Sequence, residues 1–248
     1  QTLERLQDVA RDRMGPGGST PSQSRLAVVS IIQAVILVSV AAVVGAYAAP
    51  IVGFRTPVLE AFLQQGDVWS TIRPAIRPVL LGSVIGSSVM LSAYYWIFRP
   101  QLDRQTVAVM EELRMDIGLI GRVLYGGIVE EVLVRWGLMS LLGWAGVQLV
   151  GAPTSTVIWT AIVLAGIVFG IGHLPSYLSA GCRFTRLFLV FTISLNLWAS
   201  LLFGWLFWQY GLVAAMASHA LFHVFWWPLD RRYVNTHFTE TFDGARRT

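Results

Sequence analysis

The chain of 248 residues is 55% hydrophobic and only 13% charged, about half the charged fraction of an average soluble domain, which excludes a soluble globular protein. Its net charge is +4, but its 18 basic residues are all arginines scattered in short loops, which favours contact with anionic lipid headgroups and excludes a nucleic-acid-binding face. The single cysteine, Cys182, excludes an internal disulfide and a cysteine-based metal cluster. Its position in the polar loop GCRFTR predicts a passive thiol.

The N-terminal residues 1–24 are predicted to form a short surface helix and a flexible linker. Within residues 1–14, Leu3, Leu6 and Val9 share one helical side, which suits a helix lying on a membrane surface. A solvated helix end without lipid contact is an equally good interpretation. The stretch GPGGSTPSQS follows as the linker, and no cleavable signal peptide is expected because the first apolar run is long enough to span a bilayer.

The rest of the chain predicts an all-α polytopic membrane protein with about six transmembrane helices. Apolar runs near the ~20 residues that cross a bilayer occur at 26–49, 75–98, 117–136, 154–173, 186–207 and 210–228. The run at 137–151 extends the third span and predicts a re-entrant or half-crossing helix, so that the count becomes seven or eight if re-entrant and interfacial helices are included. We therefore expect one transmembrane domain at 25–230, with a catalytic core at about 117–228, and a polar cytoplasmic tail at 231–248.

Arginine placement predicts that both termini are cytoplasmic. With six spans and the N-terminus inside, thirteen arginines fall on the cytoplasmic side and three, Arg55, Arg73 and Arg77, on the other side. The remaining two, Arg122 and Arg135, lie within the third span. This distribution follows the excess of basic residues in cytoplasmic loops.

The third span carries two adjacent carboxylates, Glu130 and Glu131, in a stretch that is otherwise apolar apart from Arg122 and Arg135. An ionised carboxylate at membrane depth costs at least ~2.5 kcal/mol, so the pair indicates a function. Glu131 and Arg135 are four residues apart on one helical face, which predicts an ion pair, whereas Glu130 is rotated by about 100° toward neighbouring helices. This division suggests one structural and one working carboxylate, although a purely structural buried pair is an alternative for Glu131 and Arg135.

Three of the four histidines lie in the later spans. His173 follows Gly166 and Gly170 on one face of the fourth span, where the two glycines permit close helix packing. His219 and His223 are four residues apart on the last span, which suits two ligands of one metal or two donors to one oxygen. Each histidine alone is more typical of an interfacial hydrogen-bonding residue than of a catalyst, but their concurrence with the two glutamates indicates proton-transfer or metal chemistry.

At these residues the chain resembles the CPBP family of intramembrane proteases, which includes type II CAAX prenyl endopeptidases and bacterial Abi proteins. The family's EExxxR motif corresponds to Glu130, Glu131 and Arg135, its FxxxH motif to Phe169 and His173, and its third motif to His219 and His223. Two positions depart from the family pattern: Trp136 replaces a glycine after the arginine, and His223 replaces the usual asparagine.

The resemblance implies peptide-bond hydrolysis within the membrane. It implies Glu130 as general base with help from His173, a scissile carbonyl polarised by His219 and His223, and a site geometry held by Glu131 and Arg135. In a metal-dependent variant, His173, His219 and His223 would bind Zn²⁺.

The partners and location are expectations of the same kind. We expect membrane lipids and a membrane-associated peptide or protein substrate, and the arginine-only composition indicates a bacterial inner membrane protein whose substrate is not prenylated. Two alternatives stay open: a non-proteolytic scaffold in a larger membrane complex, and a proton-coupled transporter, for which the sequence shows no internal repeat.

Overall fold

A computed structural model describes the backbone of residues 23–245 and the side chains of residues 24, 25 and 27–232. All regular structure in this part of the chain is helical, which confirms the all-α fold class. The predicted surface helix at 1–14 lies outside the described residues. The first described helix already begins at Gln23, within the predicted linker.

Eight α-helices and three π-helical segments follow one another in residues 23–245, the part of the backbone that the structure describes. The α-helices are α1 (Gln23–Val52), α2 (Pro57–Leu63), α3 (Val68–Ser92), α4 (Arg104–Leu124), α5 (Ser140–Val150), α6 (Ser155–Ser179), α7 (Arg186–Tyr210) and α8 (Leu212–Ala245). The π-helical segments are Ala93–Phe98, Tyr125–Glu130 and Val132–Met139. Because α8 continues to Ala245, most of the backbone of the predicted polar tail is helical.

Five helices among the described residues are long and apolar enough to cross a membrane. They are Ala27–Val52, Val68–Phe98, Ser155–Ser179, Arg186–Tyr210 and Leu212–Arg232. They coincide with five of the six predicted spans, because a helix is the structure that satisfies its own backbone hydrogen bonds in lipid. The predicted span 117–136 is not among them, so the count of six and the orientation of the termini stay predictions.

The predicted span 117–136 lies in a helical stretch that is interrupted by a break and by changes of helix type. We call the part from Gly118 to Met139 the divided stretch. Gly118 breaks α4 with a φ of 69° and a ψ of 170°, a conformation open almost only to glycine. Two π-helical segments then follow, and Glu131 lies between them. The predicted re-entrant run at 137–151 continues this stretch as α5 and ends at Gly151, whose φ is 84°. The sequence predicted a single apolar helix over 117–136. The structure instead has a break at Gly118 and two π-helical segments there.

The small residues of α6 bring its backbone against α7. A Cβ atom on Gly170 would lie 2.9 Å from Ile193 Cα, and one on Gly166 would lie 2.6 Å from Ser200 Cβ. Residues larger than glycine would therefore push the two helices apart. This contact is the close packing that the glycine spacing predicted, and it fixes the helix that carries His173.

The first helix packs against the divided stretch through its C-terminal half. A Cβ atom on Gly137 would lie 2.7 Å from Ala41 Cβ, and Gly45 lies directly against Trp136. Trp136 also donates a hydrogen bond to Ala42 O at 3.1 Å. Trp136 thus anchors α1 to the segment that carries Arg135.

Candidate active site

The divided stretch, α6 and α8 bring the six predicted site residues together. Glu130 ends the π-helical segment Tyr125–Glu130, and Glu131 and Arg135 follow it. His173 lies on α6, and His219 and His223 lie one turn apart on α8. The π-helical segments widen the helix at the carboxylates, and such segments often mark functional sites.

Glu131 lies at the centre of a buried polar cluster. Its Oε2 atom lies 3.2 Å from Arg135 Nε, and the side chains of both residues are 0% exposed. Its Oε1 atom accepts a hydrogen bond from His219 Nδ1 at 2.8 Å. One carboxylate therefore holds both a guanidinium from its own helix and an imidazole from α8.

Two aromatic rings enclose the buried guanidinium of Arg135. Its Cζ atom lies 5.7 Å from the ring centroids of both Phe169 and Phe203. The Phe203 ring also stacks on His219 at a centroid distance of 4.7 Å. Phe169 therefore covers the buried guanidinium of Arg135. Phe203 contacts both Arg135 and His219, and the sequence analysis missed it because one phenylalanine among several on α7 carries no spacing signal.

Glu130 faces the imidazoles of two different helices. Its carboxylate oxygens lie 3.9 Å from His173 Nε2 and 3.9 Å from His219 Nε2, and its side chain is 17% exposed. These distances are too long for direct hydrogen bonds and match two groups bridged by one water molecule. Glu130 and Glu131 therefore have different surroundings, as their angular separation on the helix predicted.

In His173 and His219, the hydrogen bond of Nδ1 determines whether Nε2 can donate or accept a hydrogen bond. His173 Nδ1 lies 2.8 Å from Phe169 O, and a carbonyl oxygen can only accept, so Nδ1 carries the proton. His219 Nδ1 donates in the same way to Glu131. In the form of each ring that carries one proton, Nε2 is therefore an acceptor, and both Nε2 atoms face Glu130.

His223 stacks on His219 and lies against a glycine. The two ring centroids are 4.9 Å apart with an interplanar angle of 27°. His223 Nε2 is buried without a hydrogen-bond partner, and a Cβ atom on Gly126 would collide with it. Gly126 is a further contributor that sequence reasoning missed, although the pair Gly126 and Gly127 one turn before Glu130 is a signal of close backbone approach.

The predicted metal ligands do not form a ligand set in this arrangement. Among the residues that the structure describes, no three His, Cys, Asp or Glu side chains converge closely enough to hold a metal ion. His173 and His219 each use Nδ1 on a protein oxygen, and His223 Nε2 points at Gly126. Binding of Zn²⁺ by His173, His219 and His223 therefore stays a prediction.

Cys182 lies apart from this chemistry. Its thiol is buried in the loop after α6 and contacts Thr106 O at 3.9 Å. Burial, followed by the charge of Asp103, raises the pKa of the thiol to about 11. A thiol with this pKa is almost wholly protonated at neutral pH, which agrees with the predicted passive role.

Comparison with known proteins identifies the segment that holds the site. Residues 116–225 match the family model described as type II CAAX prenyl endopeptidase Rce1-like, and all six site residues fall within the match. No curated protein and no solved structure matches the chain. The match and the apolar helices together support a CAAX-protease-type enzyme that is integral to a membrane. Residues 116–225 are therefore similar to the Rce1-like type II CAAX prenyl endopeptidase family, which agrees with the resemblance predicted from the three motifs.

Proposed function

We propose that this protein is an intramembrane endopeptidase that hydrolyses a peptide bond in a membrane-associated substrate with a water molecule activated by Glu130. The observation that carries the proposal is the position of the Glu130 carboxylate between two imidazole Nε2 atoms at 3.9 Å. A water molecule between these groups would contact a base and an acceptor at once.

The proposed reaction begins when Glu130 accepts a proton from the water and the water oxygen bonds to the scissile carbonyl carbon. His173 orients the water through the Nε2 lone pair that its bond to Phe169 O leaves free. The proton held by Glu130 then passes to the leaving nitrogen as the carbon–nitrogen bond breaks. One water is consumed, and one carboxylic acid and one amine are formed; the acid then loses its proton to solvent.

Two imidazoles of α8 are placed to stabilise the negative oxygen of the intermediate. Because His219 Nδ1 already donates to Glu131, His219 can donate from Nε2 only as an imidazolium, which the Glu131 carboxylate would stabilise. His223 has a buried Nε2 with no protein partner, and in the tautomer protonated there this atom would donate to the same oxygen. Donors of this kind contribute about 10²- to 10³-fold each to the rate.

The class of substrate and the membrane are proposed from the composition of the chain. The arginine-only composition supports a bacterial inner membrane protein and, with it, a peptide substrate without a prenyl group. The proposed partners are the surrounding membrane lipids and a membrane-associated peptide or protein substrate.

Cleavage of membrane-tethered peptides by the purified protein tests the proposal. The library contains each peptide with and without a prenyl group, and the wild type is compared with Glu130→Ala and His173→Ala, with and without a strong chelator. We expect cleavage by the wild type and loss in both variants, with chelator sensitivity separating metal-dependent from glutamate-only chemistry. Equal cleavage by the wild type and both variants would rule out the proposed site.

A further inference from the structure

The first transmembrane helix, α1, packs on the rest of the molecule through only one of its halves. Its buried residues begin at Ala41 and include Gly45 and Ala48. Of the side chains that the structure describes in residues 24–40, none is buried. We call residues 24–40 the N-terminal half of α1. This half therefore presents all of its sides to the membrane or to another molecule.

The N-terminal half of α1 carries one amide side chain, Gln33, in an otherwise apolar or hydroxyl-bearing run. Gln33 is exposed and lies six residues inside the span Ala27–Val52, about 9 Å along the helix axis. The structure gives its amide no hydrogen bond to another described residue. The glutamine side chain is also shorter than the lysine and arginine side chains that reach the headgroups from near helix ends. A polar group without a partner is costly in hydrocarbon, so such an amide favours association with another helix.

Gln33 belongs to a line of exposed residues that runs along one side of α1. Ser30, Gln33, Leu37 and Val40 follow one another at spacings of three and four residues, which places them on one side of the helix. All four are exposed, Leu37 by 49% and Val40 by 56%. We call these four residues the Gln33 seam. At 100° per residue, the seam is rotated by roughly 90° from the buried face of α1, so a second helix can lie along it without displacing that face.

The symmetry of two copies in one bilayer determines which residues of the seam meet. Both copies have the same orientation in the membrane, so a two-fold axis that relates them is perpendicular to the bilayer and their α1 helices run parallel. Each residue of the seam then meets its own counterpart at the same depth. A glutamine amide both donates and accepts, so the two Gln33 side chains can hydrogen-bond each other. A single polar pair in an apolar parallel seam also fixes the register of the two helices.

We propose that the protein forms a dimer in the membrane in which the Gln33 seams of two copies pack together and the two Gln33 amides hydrogen-bond each other. The inference is independent of the proposed peptidase function. Helix α1 lies outside residues 116–225, the segment that matches the family model, so the contact uses none of the residues of the candidate active site.

An exposed polar residue of another span does not offer the same contact. Ser88 lies on α3, and its hydroxyl donates to Val84 O at 2.7 Å. The polar group of Ser88 is therefore satisfied within its own helix, as is common for serine in membrane helices. Gln33 differs because its amide has two donor hydrogens and an acceptor that need a partner from another helix.

Cysteine cross-linking in native membranes tests the position of the contact. In a Cys182→Ser background, cysteine replaces Leu37 or Val40 on the seam, and Val28 or Val35 on the opposite side of α1 as controls. The controls are 54% and 59% exposed, which matches the exposure of the seam positions. After treatment with a mild oxidant, we expect a disulfide-linked dimer for Leu37→Cys and Val40→Cys and none for the two controls.

Exchange of the amide tests its contribution. The dissociation constant of the dimer is measured in detergent by energy transfer between fluorescently labelled copies for the wild type, Gln33→Leu and Gln33→Asn. We expect Gln33→Leu to weaken the dimer about three- to thirtyfold, as removal of an interhelical polar contact does. Gln33→Asn keeps an amide at the same depth and should retain most of the association, and Val35→Leu should leave the dissociation constant unchanged.

Three results would overturn the proposal: no dimer at any of the four cysteine positions, equal cross-linking at all four, or association of Gln33→Leu as tight as that of the wild type. A cross-link from Leu37→Cys to a different protein, without a dimer, would assign the seam to another partner and would also refute it. If Gln33→Leu lowers the midpoint of thermal unfolding, the difference between seam and control positions in the cross-linking experiment decides the question.

Discussion

The Glu131 and Arg135 pair is the most deeply buried ion pair of the site, and it also positions His219. Removing one member of a buried pair leaves an uncompensated charge, whereas removing both members leaves a neutral site. The hydrogen bond from His219 Nδ1 to Glu131 adds a second consequence, because it fixes the proton on the nitrogen that faces away from Glu130.

Glu131→Gln and Arg135→Met should each destabilise the protein by about 3–5 kcal/mol, and the double variant should be more stable than either single variant. The measurement is the midpoint of thermal unfolding of the three purified proteins in one detergent. Single variants that unfold at the wild-type temperature would show that the pair does not hold the site together.

The residues of the site were predictable where they carry charge at a helical spacing. Glu131 and Arg135 are four residues apart, and the structure places them in contact as that spacing predicted. Asp230 and Phe203 were not predictable, because their partners lie on other helices and the apolar pattern says nothing of which faces meet. Arg122 was predicted to lie at membrane depth, but its ion pair with Asp230 is visible only once α4 and α8 are placed.

At the scale of the element, the π-helical segments and their glycines bring α8 close to the carboxylates. Gly126 is buried against His223 and also lies near His219, whose Nε2 would be 3.3 Å from an added Cβ. Gly172, which is beside His173 on α6, has no atom within 4 Å of an added Cβ and is exposed. The two glycines therefore form a matched pair for substitution.

Gly126→Ala should reduce peptide cleavage strongly, because the methyl group pushes the His223 ring from its position. Gly172→Ala should leave cleavage unchanged and add up to about 1 kcal/mol of helix stability. Initial rates and unfolding midpoints of both variants provide the comparison. Full activity of Gly126→Ala would show that the placement of His223 is not required.

Helix boundaries were predictable only where one uniform apolar run fills one helix. Five of the six predicted apolar runs correspond to helices that are long and apolar enough to cross a membrane, because length and apolarity suffice to predict a span. The break at Gly118 and the two π-helical segments leave the apolar pattern nearly unchanged, so the sequence predicted one continuous span at 117–136.

At the scale of the whole molecule, the loops fall into two groups at opposite ends of the long helices. At one end, Arg183 N donates to Thr106 Oγ1 at 2.9 Å, which joins the loop after α6 to the start of α4. At the other end, Gly211 lies against Pro57 and Arg55. The excess of arginines predicts that the first end is cytoplasmic.

Labelling with a membrane-impermeant thiol reagent tests this orientation. In a Cys182→Ser background, the exposed residues Gln101 and Gln64 are each replaced by cysteine, one at each end of the fold. In intact cells Gln64→Cys should react, whereas Gln101→Cys should react only after the membrane is opened. The reverse pattern would contradict the predicted cytoplasmic termini.

The most direct test of the peptidase is the exchange of one carboxylate for an amide. Glu130→Gln keeps the size of the side chain and removes the base, and Glu60→Gln is the control, because Glu60 forms a surface pair with Arg55 far along the chain from the site. The measurement is kcat and KM for one cleaved library peptide, with unfolding midpoints as a check. We predict a fall in kcat of at least ~100-fold for Glu130→Gln and none for Glu60→Gln. A folded Glu130→Gln protein that cleaves at the wild-type rate would contradict the proposed role of Glu130.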